Sequence, residues 1–145
     1  MLQVRLDGRW WASWQTSRNG VEKIATQPVE IKQEGDLLEV AAVARGLSEE
    51  EGGYLWSGEL RLWDNEILMG WYAANDGSVR SKGTMYFVLD PHGLHMSGRW
   101  VGLGYDGQVM TGWATMGQSR EAAEETMDGL LHGEGVARQP GTGPG

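Results

Sequence analysis

Apolar and polar residues alternate with period two in segments near 9–17, 26–34, 36–45, 54–63, 66–74, 79–90, 94–105 and 108–116. In 54–63, Tyr54, Trp56, Gly58, Leu60 and Leu62 share one face, while Ser57, Glu59 and Arg61 mark the other. In 83–89, Gly83, Met85, Phe87 and Leu89 oppose Thr84 and Tyr86. In 94–104, Leu94, Met96, Gly98, Trp100, Gly102 and Gly104 oppose His95, Ser97 and Arg99. Period two means strands with one buried and one wet face. Turn residues such as Glu34-Gly35-Asp36, Asp64-Asn65, Asn75-Asp76-Gly77 and Asp106-Gly107 separate the segments. The pattern predicts an antiparallel meander, and the absence of intervening helical segments excludes the parallel-sheet classes.

Gly58, Gly70, Gly83, Gly98 and Gly112 fall near the middle of five consecutive strands, at spacings of 12, 13, 15 and 14. Glycine weakens a strand interior, so one per strand needs a reason, and corner-turning around a closing sheet supplies it. An all-β fold follows: an antiparallel up-and-down β-barrel of about eight strands, lipocalin-like, with room for side chains or one small ligand. An open sandwich with unrelated glycines is the alternative. After Met116 the period changes. Ser119 is a good N-cap, and Ala123, Met127, Leu130 and Leu131 form a helical stripe, which predicts one amphipathic C-terminal helix over about 119–132 on the outside or mouth of the barrel. Gly133 is placed just past its end. The expected organisation is a barrel over 1–117, a packed helix over 118–133 and a disordered Gly/Pro-rich tail over 134–145.

Composition narrows the chemistry. The chain of 145 residues fits one domain. A net charge of −8 argues against binding of nucleic acid, and zero cysteines exclude disulfides, Cys-ligated metals and a thiol nucleophile. No apolar run follows Arg5, and nowhere do 18 apolar residues run together, so neither a secretory signal nor a membrane span is expected. A cytoplasmic location follows as an expectation.

Gly102-Leu103-Gly104-Tyr105-Asp106-Gly107 matches G-x-G-x-x-G, but that motif needs a helix N-terminus directly after it. Here Gln108 to Trp113 reads as another strand, so the match is a strand end plus a hairpin turn. Asp90-Pro91-His92-Gly93-Leu94-His95 brings three metal-ligand types within six residues, yet a tight turn points them apart, and turn chemistry explains them better. Neither a metal nor another cofactor is expected. No nucleophile elbow is visible, and no catalytic residue is assigned. Glu59 sits mid-strand, where a cross-strand ion pair on the outer face accounts for it. Arg80, Lys82 and Arg99 come from adjacent strands, with Arg61 two strands earlier. They could receive a ligand's carboxylate or phosphate, or pair with Glu59, Glu66 and Asp76 outside.

Eight tryptophans exceed what a plain aliphatic core of this size needs. Trp10, Trp56, Trp63, Trp71, Trp100 and Trp113 lie on five predicted strands, and their rings serve either a core or a ligand wall. Trp56, Trp71, Tyr86, Trp100 and Trp113 are the candidate walls of a small-molecule cavity, with Arg99 as its polar anchor. Strict alternation puts Arg99 and Trp100 on opposite faces. Both reach the interior only if a bulge at Gly98 or Gly102 shifts the phase, and Tyr86 carries the same condition.

Three short stretches, Met69-Gly70-Trp71, Lys82-Gly83-Thr84 and Thr111-Gly112-Trp113, frame a longer one running from Asp90 to Gly102, whose most specific part is Met96-Ser97-Gly98-Arg99-Trp100-Val101-Gly102. Together they resemble the lipocalin-like small barrel domain of actinobacterial regulators. That likeness covers 69–116 and implies a ligand-sensing barrel, without the helix-turn-helix of the regulators. Ser97 to Leu103 is also similar to a strand of the spirotetronate-type barrel cyclases, cofactor-free enzymes that would fold a long polyene by proximity alone. The expected function is binding of a hydrophobic or amphipathic small molecule. A cofactor-independent [4+2]-type cyclase acting on a polyketide-like substrate is the first alternative, and a structural or protein-interaction barrel the second. No nucleic-acid or membrane partner is expected, and a homodimer is left open.

Overall fold

A computed structural model describes residues 2–18, 20–104 and 106–133. These form eight antiparallel strands in a closed barrel, each paired with its sequence neighbours: β1 (Gly8–Arg18), β2 (Val21–Glu34), β3 (Leu37–Ala42), β4 (Trp56–Trp63), β5 (Ile67–Ala74), β6 (Lys82–Leu89), β7 (His95–Leu103) and β8 (Val109–Gly117). Closure of β1 on β8 uses four rungs, from Trp11↔Gly117 to Trp14↔Ala114. The expected tail at 134–145, with Asn19 and with Tyr105 at the end of the expected strand segment 94–105, lies outside the described residues. Among the described residues no helix is long and apolar enough to cross a membrane.

β2 starts at Val21, earlier than the alternation suggests. Val21 to Ile24 pair with Arg18 to Gln15 of β1, and the ladder to β3 begins only at Val29, so no second neighbouring strand demands apolar alternation of them. Every ladder among the described residues runs in unbroken register, from Lys82↔Leu103 to Leu89↔Met96 between β6 and β7, and from His95↔Gly117 to Leu103↔Val109 between β7 and β8. No bulge shifts the phase.

The mid-strand glycines all share the inward face of their strands. A Cβ on Gly70 would land on the carbonyl of Glu59, and one on Gly98 on the carbonyl of Tyr86, each on the neighbouring strand. Neighbouring backbones approach at these points as no side chain would allow, which turns the corner of the barrel.

At one end the interior is solid. Leu6, Trp10, Ile31, Leu38, Leu60, Leu68, Phe87, Met96 and Met116 are all essentially inaccessible to water. The segment before β1 plugs this end. Gln33 Oε1 accepts from the Leu6 amide at 2.7 Å, Gln33 Nε2 donates to the Val4 carbonyl at 2.9 Å, and Trp10 Nε1 donates to the Leu6 carbonyl at 2.9 Å.

Helix α1 (Arg120–Asp128) packs outside the barrel on β8, β1, β2 and β7. Ser119 caps it, its Oγ accepting from the Ala122 amide at 3.0 Å. Ala123 and Met127 are buried, and Thr115 Oγ1 donates to the Ala123 carbonyl at 2.8 Å. A π-helical turn, Gly129–Gly133, continues the chain, leaving Leu130 and Leu131 half-buried.

Candidate functional site: an aromatic well at the open end

The other end of the interior is built on aromatic residues held by one amide. Gln27, on β2, is 2% exposed. Its Oε1 accepts from the indole N–H of Trp14 at 3.1 Å and of Trp56 at 3.0 Å, and its Nε2 donates to the Ala44 carbonyl at 2.7 Å. Four rings then step across the interior: Trp14 to Trp56 at 4.6 Å, Trp56 to Tyr72 at 6.4 Å and Tyr72 to Trp100 at 6.5 Å, the last two nearly edge-on. Such tilted contacts suit the ring quadrupoles. Trp100 reaches past β8 to donate its N–H to the Gln15 carbonyl at 2.8 Å, and Gly112 makes the room: a Cβ there would sit 2.8 Å from that indole nitrogen. Gly102 does the same for Tyr72, whose hydroxyl occupies the place of the missing Cβ.

With these N–H groups satisfied inside the wall, Trp14 and Trp100 present ring surface rather than free N–H donors to the adjoining cavity, whose lining also carries polar and charged side chains. It measures about 830 Å³ and is bordered by the loops 43–55 and 75–81 and by Gly104 and Asp106, with Trp14, Gln27, Tyr72, Trp100 and Met110 in its lining. That size falls within the range of small-molecule sites. Near the mouth, Tyr54 Oη and Ser81 Oγ share a hydrogen bond of 2.5 Å. Burial pushes the Tyr54 phenol up, against a smaller opposing effect of Ser81. The Tyr72 phenol is also pushed up, first by burial and then by neighbouring Tyr54. Both phenols are therefore neutral at physiological pH. On the rim, Lys23 pairs with Glu51 at 3.2 Å and Arg45 with Glu49 at 2.7 Å. The Lys23 ammonium and the Ser48 hydroxyl and amide hold the Glu51 carboxyl below the usual range.

The expected site residues divide by strand phase. Trp100 lines the cavity, and Trp56 is fully buried beneath it against Trp14 and Gln27. Trp71, Tyr86, Arg99 and Trp113 do not join them. Trp71 and Tyr86 are each 47% exposed on the outer face, where Trp71 Nε1 donates to Glu59 Oε1 at 3.1 Å. Arg99 lies over the Trp113 ring at 3.8 Å, also outside. The cause is the unbroken register of β7: without a bulge Arg99 must face away from Trp100, and the same parity carries Tyr86 outward.

Tyr72, Trp14, Gln27 and Tyr54 were not among the expected residues. The signal for Tyr72 was available. Since the mid-strand glycines face inward, the residue two positions on shares their face and the next residue does not. Trp100 after Gly98 and Tyr72 after Gly70 are inside, whereas Trp71 and Trp113, one residue after Gly70 and Gly112, are outside. Gln27 offered no such signal, because a lone polar residue in a strand reads as exposed.

The remaining motifs resolve as turns. Asp90 Oδ2 accepts from the His92 amide at 3.0 Å, and His95 lies 3.7 Å from Asp90. No group of three ligand-type side chains among the described residues could hold a metal. The glycine-rich stretch at 102–107 leads into β8, with the Gly104 amide donating to the Gln108 carbonyl at 2.8 Å.

No protein-family model and no curated protein matches the chain. Solved structures similar to it include two redesigned β-barrels. One, b11L5F_LGL, has a TM-score of 0.56 at 15% identity, over 79% of this chain and 91% of that one. Another, mFAP1 bound to DFHBI, has a TM-score of 0.56 at 14% identity, over 79% of this chain and 94% of that one. At such identity the likeness shows the fold, a small eight-stranded antiparallel barrel.

Proposed function

We propose that this protein is a binding barrel for an apolar or amphipathic small molecule, held in the open half of the interior. The observation that carries this reading is the cavity of about 830 Å³ walled by Trp14, Tyr72 and Trp100. A core selected only for stability would fill that volume, because voids forfeit dispersion contacts. Flat rings with their N–H groups engaged elsewhere favour planar, conjugated or aliphatic ligands, and the hydroxyls of Tyr54 and Ser81 offer polar contacts near the mouth. The resemblance of residues 69–116 to sensor-type barrel domains of actinobacterial regulators points the same way, and mFAP1, a barrel of similar fold, is bound to DFHBI.

Intrinsic tryptophan fluorescence titrated with a panel of hydrophobic ligands, polyenes included, tests the proposal when followed by product analysis. Saturable quenching without turnover supports a binding protein. A new cyclised product would instead support the cofactor-independent cyclase, which would use the same well to fold a polyketide-like chain. Failure of every ligand to quench would leave a structural or protein-interaction barrel.

A further inference from the structure

Among the described residues, one cation at the mouth of the well has no carboxylate within ion-pair range. Three basic side chains line the cavity: Lys23, Arg45 and Arg80. The first two are paired, with Glu51 and Glu49. The aspartates of the same rim are engaged in their own turns. Asp76 Oδ1 accepts from the Ser78 amide at 2.9 Å and hydroxyl at 2.8 Å, and Asp106 Oδ1 from the Gln108 amide at 3.1 Å. Arg80 has no carboxylate in ion-pair range among the described residues. Its guanidinium instead lies against Gly107, where an added Cβ would come within 3.0 Å of Nη2 and 3.4 Å of both Cζ and Nη1. Its chain neighbour is Ser81, the hydroxyl joined to Tyr54. An unpaired guanidinium, a serine and a half-buried phenol thus all belong to the lining of a cavity walled by aromatic rings.

We infer that the cavity takes an amphipathic ligand with a conjugated or aliphatic body and a carboxylate end, which Arg80 receives at the mouth. This rests on the binding reading above and names its ligand class. A guanidinium matches a carboxylate bidentately, and charge-assisted hydrogen bonds of this kind are the strong ones. Among the described residues the other two cations of the lining, Lys23 and Arg45, are each held by a glutamate, and Arg99 is on the outer face. A chain of net charge −8 repels anions at long range. The measurement therefore belongs at physiological ionic strength, where screening confines that repulsion to about 8 Å.

The probes are cis-parinaric acid, a conjugated polyene fatty acid, and its methyl ester, each titrated into the intact protein and into Arg80→Gln, with Arg99→Gln as an outer-face control. The acid should bind the unmodified protein about tenfold tighter than the ester, the size of one charge-assisted hydrogen bond. Arg80→Gln should lower the acid to the ester's affinity and leave the ester unchanged, and Arg99→Gln should change neither. Equal affinities in the unmodified protein would overturn the carboxylate assignment while the cavity reading stands. A preference for the acid that survives Arg80→Gln would overturn the role of Arg80. Binding of neither probe would overturn the inference together with the cavity reading beneath it.

Discussion

The two ends of this barrel are built from the same eight strands and the same inward parity, yet one is packed and the other is open. At the plugged end the inward positions are aliphatic, with Phe87 and Trp10 filling what remains, and the segment before β1 seals the floor through Gln33. At the open end the inward positions carry Trp14, Trp56, Tyr72 and Trp100, whose polar edges are tied to Gln27 or to the wall. Aliphatic side chains adapt and fill space. Rings pinned by their N–H groups hold their planes and leave a shaped void. A filled and an unfilled interior are thereby separated along one axis.

The largest effect should come from the packed end. Phe87→Ala should cost about 3–5 kcal/mol, as removal of a core aromatic does elsewhere, read as a lower midpoint in urea unfolding. Trp100→Phe, at the cavity wall, keeps a ring beside the void and frees only the Gln15 carbonyl that the indole N–H engages, so it should cost about 1–3 kcal/mol. Equal losses would break the distinction between the ends.

Gln27→Leu comes next. It leaves the indole N–H groups of Trp14 and Trp56 without an acceptor and frees the Ala44 carbonyl. Each unsatisfied group costs about 1–3 kcal/mol. Stability should fall by about 2 kcal/mol or more, with faster hydrogen exchange in the 43–55 loop. A neutral result would show that the rings are placed without the amide.

Strong alkali should loosen the open end selectively. The Tyr72 and Tyr54 phenols are raised in the folded state, chiefly by burial. The unfolded chain therefore loses their protons first as pH passes about 10. Their contribution is complete below that pH and is lost as pH rises through the folded values. Tyr72→Phe should flatten the fall in stability above about pH 10. A slope identical to that of the unmodified protein would show that Tyr72 titrates as in water.

Substitutions on the outer face should do least. Trp71→Ser and Tyr86→Ser should change stability by no more than about 0.5 kcal/mol, as exposed positions usually do, and should leave polyene binding intact. Loss of binding in either would mean that the ligand sits outside the barrel.

Much of this was legible beforehand. Period-two alternation and five spaced glycines defined a closing sheet, and Ser119 with Ala123 and Met127 marked the helix. The cavity wall is legible only in part, because residue type and strand phase point to different residues. Tryptophan content favours Trp71 and Trp113, although parity with Gly70 and Gly112 sends them outward. The same parity sends Tyr72 inward. Gln27 could not be seen, since its role depends on two indoles distant in sequence meeting one amide. Arg99 is sent outward by the parity of β7, whereas the pairing of Lys23 with Glu51 joins β2 to the 43–55 loop and is encoded by no local pattern.

The most direct test is to fill the void. Met110 lines the well and is half-buried. Met110→Trp adds a ring into space that the account holds to be empty. Stability should stay within about 1 kcal/mol or rise, since cavity filling commonly stabilises, and saturable binding of cis-parinaric acid should be lost. A loss of about 1–3 kcal/mol, the mark of an overpacked core, with polyene binding unchanged, would contradict it.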